Sequence, residues 1–168
     1  MRFLPWLLAT LVLAGCATPQ PRPGTDDVAF IVVRHAEKTT AGSDPGLSAA
    51  GRERADSLAR SLADADLVAI YTTDFRRTRN TLAPTATAQR LPVTIYDADE
   101  PATALATRLK AVHRKGTVLV AGHSNTVPDI VAALCNCEVA AMTEAEFDRV
   151  STVRIDARGR ARLDTGRY

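Results

Sequence analysis

Val28-Ala29-Phe30-Ile31-Val32-Val33-Arg34-His35-Ala36-Glu37-Lys38 is the stretch on which the fold turns. Its first six residues are apolar and β-prone with no polar alternation, the pattern of a strand covered on both faces. Such a strand belongs to a sheet whose parallel neighbours are joined by helices, and sheets of that kind bind ligands just beyond the carboxyl ends of their strands. The abrupt change from Val33 to Arg34 therefore marks a central strand and, next to it, a place for chemistry.

The pattern downstream alternates in the same sense. Ser48 to Ala63 places Ala55, Leu58, Ala59 and Leu62 on a helical stripe with Ser48 as N-cap. Leu67 to Tyr71 reads as a strand, and Thr73 to Ala88 as a helix that Pro84 kinks or shortens. Val93 to Tyr96 is a short strand; Pro101 to Arg114 is a helix with proline in its first turn and Leu105, Leu109 and Val112 on one side. Thr117 to Ala121 is a strongly apolar strand and Val127 to Leu134 a strongly apolar helix, followed by a hairpin of Val150 to Ile155 and Ala161 to Leu163 about Arg158-Gly159. Strands alternating with helices predict an α/β fold, a three-layer α/β/α sandwich about a mostly parallel central sheet.

Ahead of this domain the chain reads differently. Met1-Arg2 is a short cationic start and Phe3 to Ala14 an apolar run, too short for a permanent span of ~20 residues. Leu13-Ala14-Gly15-Cys16 resembles the lipobox of bacterial lipoproteins, which implies a signal peptide over residues 1–15 and a lipid on Cys16. Pro19, Pro21, Pro23 and Gly24 make residues 16–26 an extended tether, so the domain covers residues 27–168. Ala17 and Thr18 offer no acidic retention signal, which places the expected anchor on the periplasmic face of the outer membrane.

Composition removes other classes. With 168 residues and 46% hydrophobic content the chain holds one ordinary globular domain, neither disordered nor a disulfide scaffold. A formal net charge of +2 with no basic run or aromatic cluster gives no footprint for nucleic acid. Cys135 and Cys137 lie two apart, where a bond between near neighbours is disfavoured and a zinc motif lacks its second pair, so buried or free thiols are expected.

Two of the three histidines sit at strand ends, His35 after the first strand and His123 in Gly122-His123-Ser124-Asn125. Arg34-His35, the turn Leu47-Ser48-Ala49-Ala50-Gly51, Tyr71-Thr72-Thr73-Asp74-Phe75-Arg76-Arg77-Thr78 with Thr81, and Gly122-His123 together resemble the histidine phosphatase superfamily, also called phosphoglycerate mutase-like, from about Val28 to Leu134. The resemblance implies a phosphatase that hydrolyses phosphate monoesters or phosphoryl-protein groups through a phosphohistidine on His35, with Arg34, Arg77 and His123 in the catalytic phosphate pocket and no metal or other cofactor. The chemistry suits these residue types: a phosphoryl group carries about two negative charges, so the nucleophile approaches an anion whose charge forked guanidinium donors spread. A neutral imidazole attacks with one nitrogen while the other donates to a backbone carbonyl, and neighbouring arginines keep it unprotonated.

The remaining assignments are weaker in the sequence itself. Larger relatives carry a glutamate after the third strand; here Asp97, Asp99 and Glu100 are the candidate general acids, and the short connection leaves the site open. Ser124 and Asn125 either touch phosphate as substrate-binding residues at a helix start or only cap that helix. Glu37 either orients an arginine or acts on a proton or, the reading preferred here, bonds a nearby backbone amine; Arg76 and Arg79 are expected to be solvated and His113 to do no more than favour the helix dipole. The partners expected are a phosphorylated small molecule or phosphoprotein and, through Cys16, a membrane. The competing reading is a non-catalytic phosphate-binding or anion-binding envelope lipoprotein of the same fold.

Overall fold

A computed structural model of the chain describes residues 27–168. The signal peptide over 1–15, the lipidation of Cys16 and the tether over 16–26 lie outside the described residues. Six strands and four helices follow one another as β1 (Val28–Arg34), α1 (Ala49–Ser61), β2 (Leu67–Thr72), α2 (Arg76–Gln89), β3 (Val93–Ile95), α3 (Ala102–Val112), β4 (Gly116–Gly122), α4 (Val127–Cys135), β5 (Arg149–Ile155) and β6 (Ala161–Arg167). One sheet orders the strands β3-β2-β4-β1-β5-β6. The pairs β3–β2, β2–β4 and β4–β1 are parallel, and the terminal hairpin adds β5 and β6 antiparallel. The expected α/β sandwich with a mostly parallel sheet is the fold observed.

The period of two along β1 and β4 divides the core. Phe30, Val32, Val118 and Val120 face α3 and α4, where they pack with Leu105, Leu109, Ile130 and Leu134. Ile31, Val33, Leu119 and Ala121 face α1 and α2 and meet Leu58, Leu62 and Leu82. Leu58 and Leu109 are fully buried, and truncating either to alanine is expected to cost about 2–5 kcal/mol.

Local chemistry sets the helix starts. Ser48 caps α1 by accepting the Gly51 N–H at 3.1 Å, as its position predicts. Gly51 itself has no room for a side chain, since a Cβ there would lie 2.1 Å from the Glu37 carbonyl oxygen. That close approach seats α1 on the segment that follows His35.

Several expectations need correction. α2 begins at Arg76, not Thr73, because Thr73 and Thr78 bond each other through their hydroxyls at 2.8 Å and Asp44 accepts the Arg76 N–H at 3.1 Å, which ends the turn at Phe75. The helix then runs through Pro84 to Gln89, held by the buried Leu82, Thr85 and Ala86 on either side of the proline. Pro101 occupies the cap position before α3, and Val112 is 63% exposed, off the buried stripe of Leu105 and Leu109. Cys135 and Cys137 are not free: a disulfide joins them. Asn136, in the left-handed region at φ 52°, folds the chain back after α4 and leaves the two Cα atoms 5.2 Å apart, within disulfide reach. His113, at the C-cap of α3, does more than favour the helix dipole: its ring shares a hydrogen bond with the Tyr71 hydroxyl, 2.9 Å away, and burial lowers its pKa.

Candidate functional site

The register of the sheet assembles the site. Parallel pairing sets Arg34 beside Gly122, so the residues that follow, His35 and His123, emerge side by side; His35 N–H donates to the Gly122 carbonyl at 2.9 Å. Their ring centroids are 5.4 Å apart, edge to face. On the other side of β4, Thr72 pairs with Ala121, which brings Thr73 to the His123 Nε2 at 3.1 Å. The first turn of α2 adds Arg77, whose Nη2 lies 3.4 Å from His123 Nδ1. Three strand ends and one helix start thus converge on two imidazoles.

Both rings are buried and neutral. His35 is lowered from 6.5 to about 4, first by burial and then, against a raising bond to Ala36, by the charges of Arg34, Arg77 and Lys38. His123 is lowered to about 4, again first by burial and then by Arg77, His35 and Arg34. The His35 Nδ1 lies 2.8 Å from the Ala36 carbonyl, which is a pure acceptor, so Nδ1 carries the proton and Nε2 keeps its lone pair. For His123 the same logic gives the opposite tautomer: Nδ1 accepts from Arg77 and Nε2–H donates to Thr73. Thr81 fixes the loop beyond His35, accepting the Ala36 N–H at 2.8 Å while donating to the Arg77 carbonyl at 2.7 Å.

The two arginines are placed differently. Arg77 stacks on the Phe75 ring, 4.1 Å from its centroid, and its nearest acid is Asp44 at 3.9 Å. Arg34 is wrapped by the loop between α4 and β5. Its Nη1 donates to the carbonyls of Thr143 (3.2 Å) and Glu144 (2.9 Å), its Nη2 to Glu144 Oε2 (2.8 Å), and its guanidinium stacks 4.2 Å from the centroid of Phe147. Phe147 in turn stands 6.3 Å from the His35 ring, and the second oxygen of Glu144 accepts from the Ser124 hydroxyl at 2.8 Å. Glu144 and Phe147 carried no sequence signal, since they are separated from Arg34 by more than a hundred residues and sit in an unpatterned loop; the β-prone run of β5 just beyond them was the only hint that the loop returns to β1.

The other candidates are distributed as follows. Ser124 reaches the site through Glu144, whereas Asn125 is exposed; neither caps α4, which begins at Val127 after His123 and Thr126 close the turn between themselves. Asp97 accepts the Asp99 N–H at 3.0 Å and Glu100 pairs with Arg108 at 2.6 Å, and no hydrogen bond or ion pair joins these three acids to His35, His123, Arg34 or Arg77 among the described residues. Glu37 takes the arginine role instead of the backbone one preferred above: both its oxygens fork onto Arg54, at 2.6 to 2.9 Å, and that guanidinium holds the carboxyl below its usual range. Arg79 is exposed and pairs with Asp74. Among the described residues no cluster of three His, Cys, Asp or Glu side chains is placed to hold a metal ion, and no helix is long and apolar enough to cross a membrane.

No curated protein matches the sequence. Solved structures do match in fold. The protein histidine phosphatase SixA, solved with tungstate, superposes with a TM-score of 0.71 at 19% identity, covering 83% of this chain and 96% of that one. A mycobacterial glucosyl-3-phosphoglycerate phosphatase gives 0.66 at 18% identity, covering 84% and 99%. A phosphoserine phosphatase from Entamoeba histolytica, in complex with 3-phosphoglyceric acid, gives 0.64 at 15% identity, covering 84% and 97%. Residues 30–99 match the model of the histidine phosphatase superfamily (branch 1), and the solved structures share the fold of the whole described domain.

Proposed function

We propose that this protein is a phosphatase that hydrolyses phosphate monoesters or phosphoryl-protein groups through a phosphohistidine on His35, without a metal ion. The observation that carries the reading is the neutral His35 ring, tied at Nδ1 to the Ala36 carbonyl and set edge-on to His123, with Arg77 alongside. In the first step a bond forms from His35 Nε2 to phosphorus as the bond to the leaving oxygen breaks; in the second, water displaces the imidazole and phosphate leaves. A phosphoryl oxygen drawing Arg77 to itself frees His123 Nδ1, and the dianion beside that ring raises its pKa, so His123 takes up a proton and donates to the phosphoryl group. The names of the solved neighbours, one a protein histidine phosphatase and another a sugar-phosphoglycerate phosphatase, support a phosphorylated substrate and leave both protein and small-molecule classes in play. The β3–α3 connection spans only residues 96–101, which supports an open site. The leader pattern of residues 1–16 supports a lipid on Cys16 and attachment to the bacterial envelope, on the periplasmic face of the outer membrane.

The test is an aryl phosphate incubated with the purified protein and a chelator, beside His35→Ala. The parent is expected to release phosphate and the variant to lose about 10³-fold or more. Equal release by both overturns the nucleophile. If neither turns over while the parent alone binds inorganic phosphate, the anion-binding lipoprotein is the correct reading.

A further inference from the structure

A phosphatase of this type needs a group that gives the leaving oxygen a proton and then takes one from water. Resting on the reading above, we propose that Glu144 is that group. It reaches the site from the loop between α4 and β5, far in the sequence from the acids after β3.

Three observations lead to it. Its two oxygens are divided between Arg34 at 2.8 Å and Ser124 at 2.8 Å, so the carboxylate bridges the residue before His35 and the residue after His123. The backbone beneath it is fixed as well, because Arg34 Nη1 donates to the Thr143 and Glu144 carbonyls. The side chain remains 84% exposed while Arg34 is 4% exposed, so the carboxylate stands at the mouth with lone pairs open to water and to a leaving group. The other acids are committed: Asp44, 3.9 Å from Arg77, holds the Arg76 N–H through both oxygens, Glu37 is forked on Arg54, Glu100 pairs with Arg108, and Asp97 closes its own turn.

The Ser124 bond, then the charge of Arg34, lowers the Glu144 pKa, so it rests as a carboxylate. A phosphoryl anion arriving at Arg34 takes a share of that guanidinium and sets like charge beside the carboxylate, which raises its proton affinity. The proton of a monoanionic ester then passes to Glu144. As Nε2 of His35 bonds to phosphorus, the P–O bond breaks, its electron pair stays on the leaving oxygen, and that oxygen takes the proton from Glu144. A water oxygen then bonds to phosphorus, the P–N bond returns its pair to His35, and the water's proton goes to Glu144.

The experiment compares the parent, Glu144→Gln and Glu144→Asp on an aryl phosphate and an alkyl phosphate, with rapid quenching to measure phosphohistidine. Glu144→Gln is expected to lose about 10²-fold or more in kcat/KM on the alkyl ester, which needs the proton, and much less on the aryl ester. On the aryl ester it should release phenol in a burst and accumulate phosphorylated His35, and Glu144→Asp should recover part of the alkyl activity. Equal losses on both esters, or no loss, without phosphohistidine accumulation, overturn the assignment. Binding of inorganic phosphate by Glu144→Gln at the parent's affinity or better shows that the site is intact. A parent without turnover on either ester defeats the phosphatase reading itself, whereas an active parent with an unchanged glutamine variant defeats Glu144 alone.

Discussion

Arg34 and Arg77 flank the same two imidazoles, each stacked on a phenylalanine and each with an Nε that finds no acceptor, yet their surroundings differ. Arg77 rises from the first turn of α2 beside its own stacking partner, Phe75, and faces a histidine across 3.4 Å. Among the described residues its one ion-pair partner is a loop aspartate at 3.9 Å, too long for a hydrogen bond, so apart from the long contact to His123 its donors can turn toward an anion. Arg34 stands at the end of a central strand and spends its donors on carbonyls and a carboxylate brought from beyond α4. On the proposed reading Arg77 turns its donors to the phosphoryl anion, whereas Arg34 shares its guanidinium between that anion and the loop it holds beside His35. The same residue type at the same rim therefore does two jobs, and the neighbours decide which.

Substituting the two arginines separates those jobs and carries the largest effect. Arg77→Ala is expected to lower kcat/KM by about 10²- to 10³-fold, the scale of one removed charge-stabilising donor, with little change in unfolding free energy. Arg34→Ala leaves the carbonyls of Thr143 and Glu144 without their donor and frees the loop, so the fold should lose about 1–3 kcal/mol along with activity. Urea titration and steady-state kinetics on both variants check this; a stable Arg34→Ala or an unfolded Arg77→Ala reverses the division.

A smaller effect should appear with pH. The unfolded chain protonates histidine near 6.5, while His35 and His123 in the fold take protons only near 4. Between these values the unfolded state binds more protons, so stability is present above about pH 6.5 and is lost as pH falls toward 4. His35→Gln should shrink the drop in urea midpoint between about pH 6.5 and 5, above the range where carboxylates titrate. An unchanged drop contradicts the neutral ring.

The phenylalanines give the finest test. Phe75→Leu and Phe147→Leu each remove a cation–π contact of about 0.5–1 kcal/mol. The first should surface mainly in kinetics, through Arg77, and the second mainly in stability, through Arg34 and its loop. The opposite assignment breaks the contrast between the two sides of the cup.

How much of this could be read in advance varies along the chain. β1, β4 and the apolar helix α4 are written in strongly hydrophobic stretches, and the Ser48 cap and Gly159 hairpin in turn chemistry, because burial and backbone sterics act within a few residues. The start of α2 was misplaced because Asp44, thirty-two residues away, supplies the cap that a local reading sought at the helix itself. The Cys135–Cys137 bond is hidden from the spacing alone, because it depends on the left-handed Asn136 that ends α4.

The amino-acid order alone determined the sandwich, its central strands and the residues offered at their carboxyl ends, since hydrophobic period and strand-helix alternation depend on local spacing. Only the tertiary structure decided that His35 and His123 meet different partners that fix opposite tautomers, that Arg34 is enclosed and Arg77 is not, and that an acid from residue 144 stands beside Arg34. Those outcomes depend on strand register and on a loop returning across more than a hundred residues, where the energy of a contact is known only once both of its sides are in place.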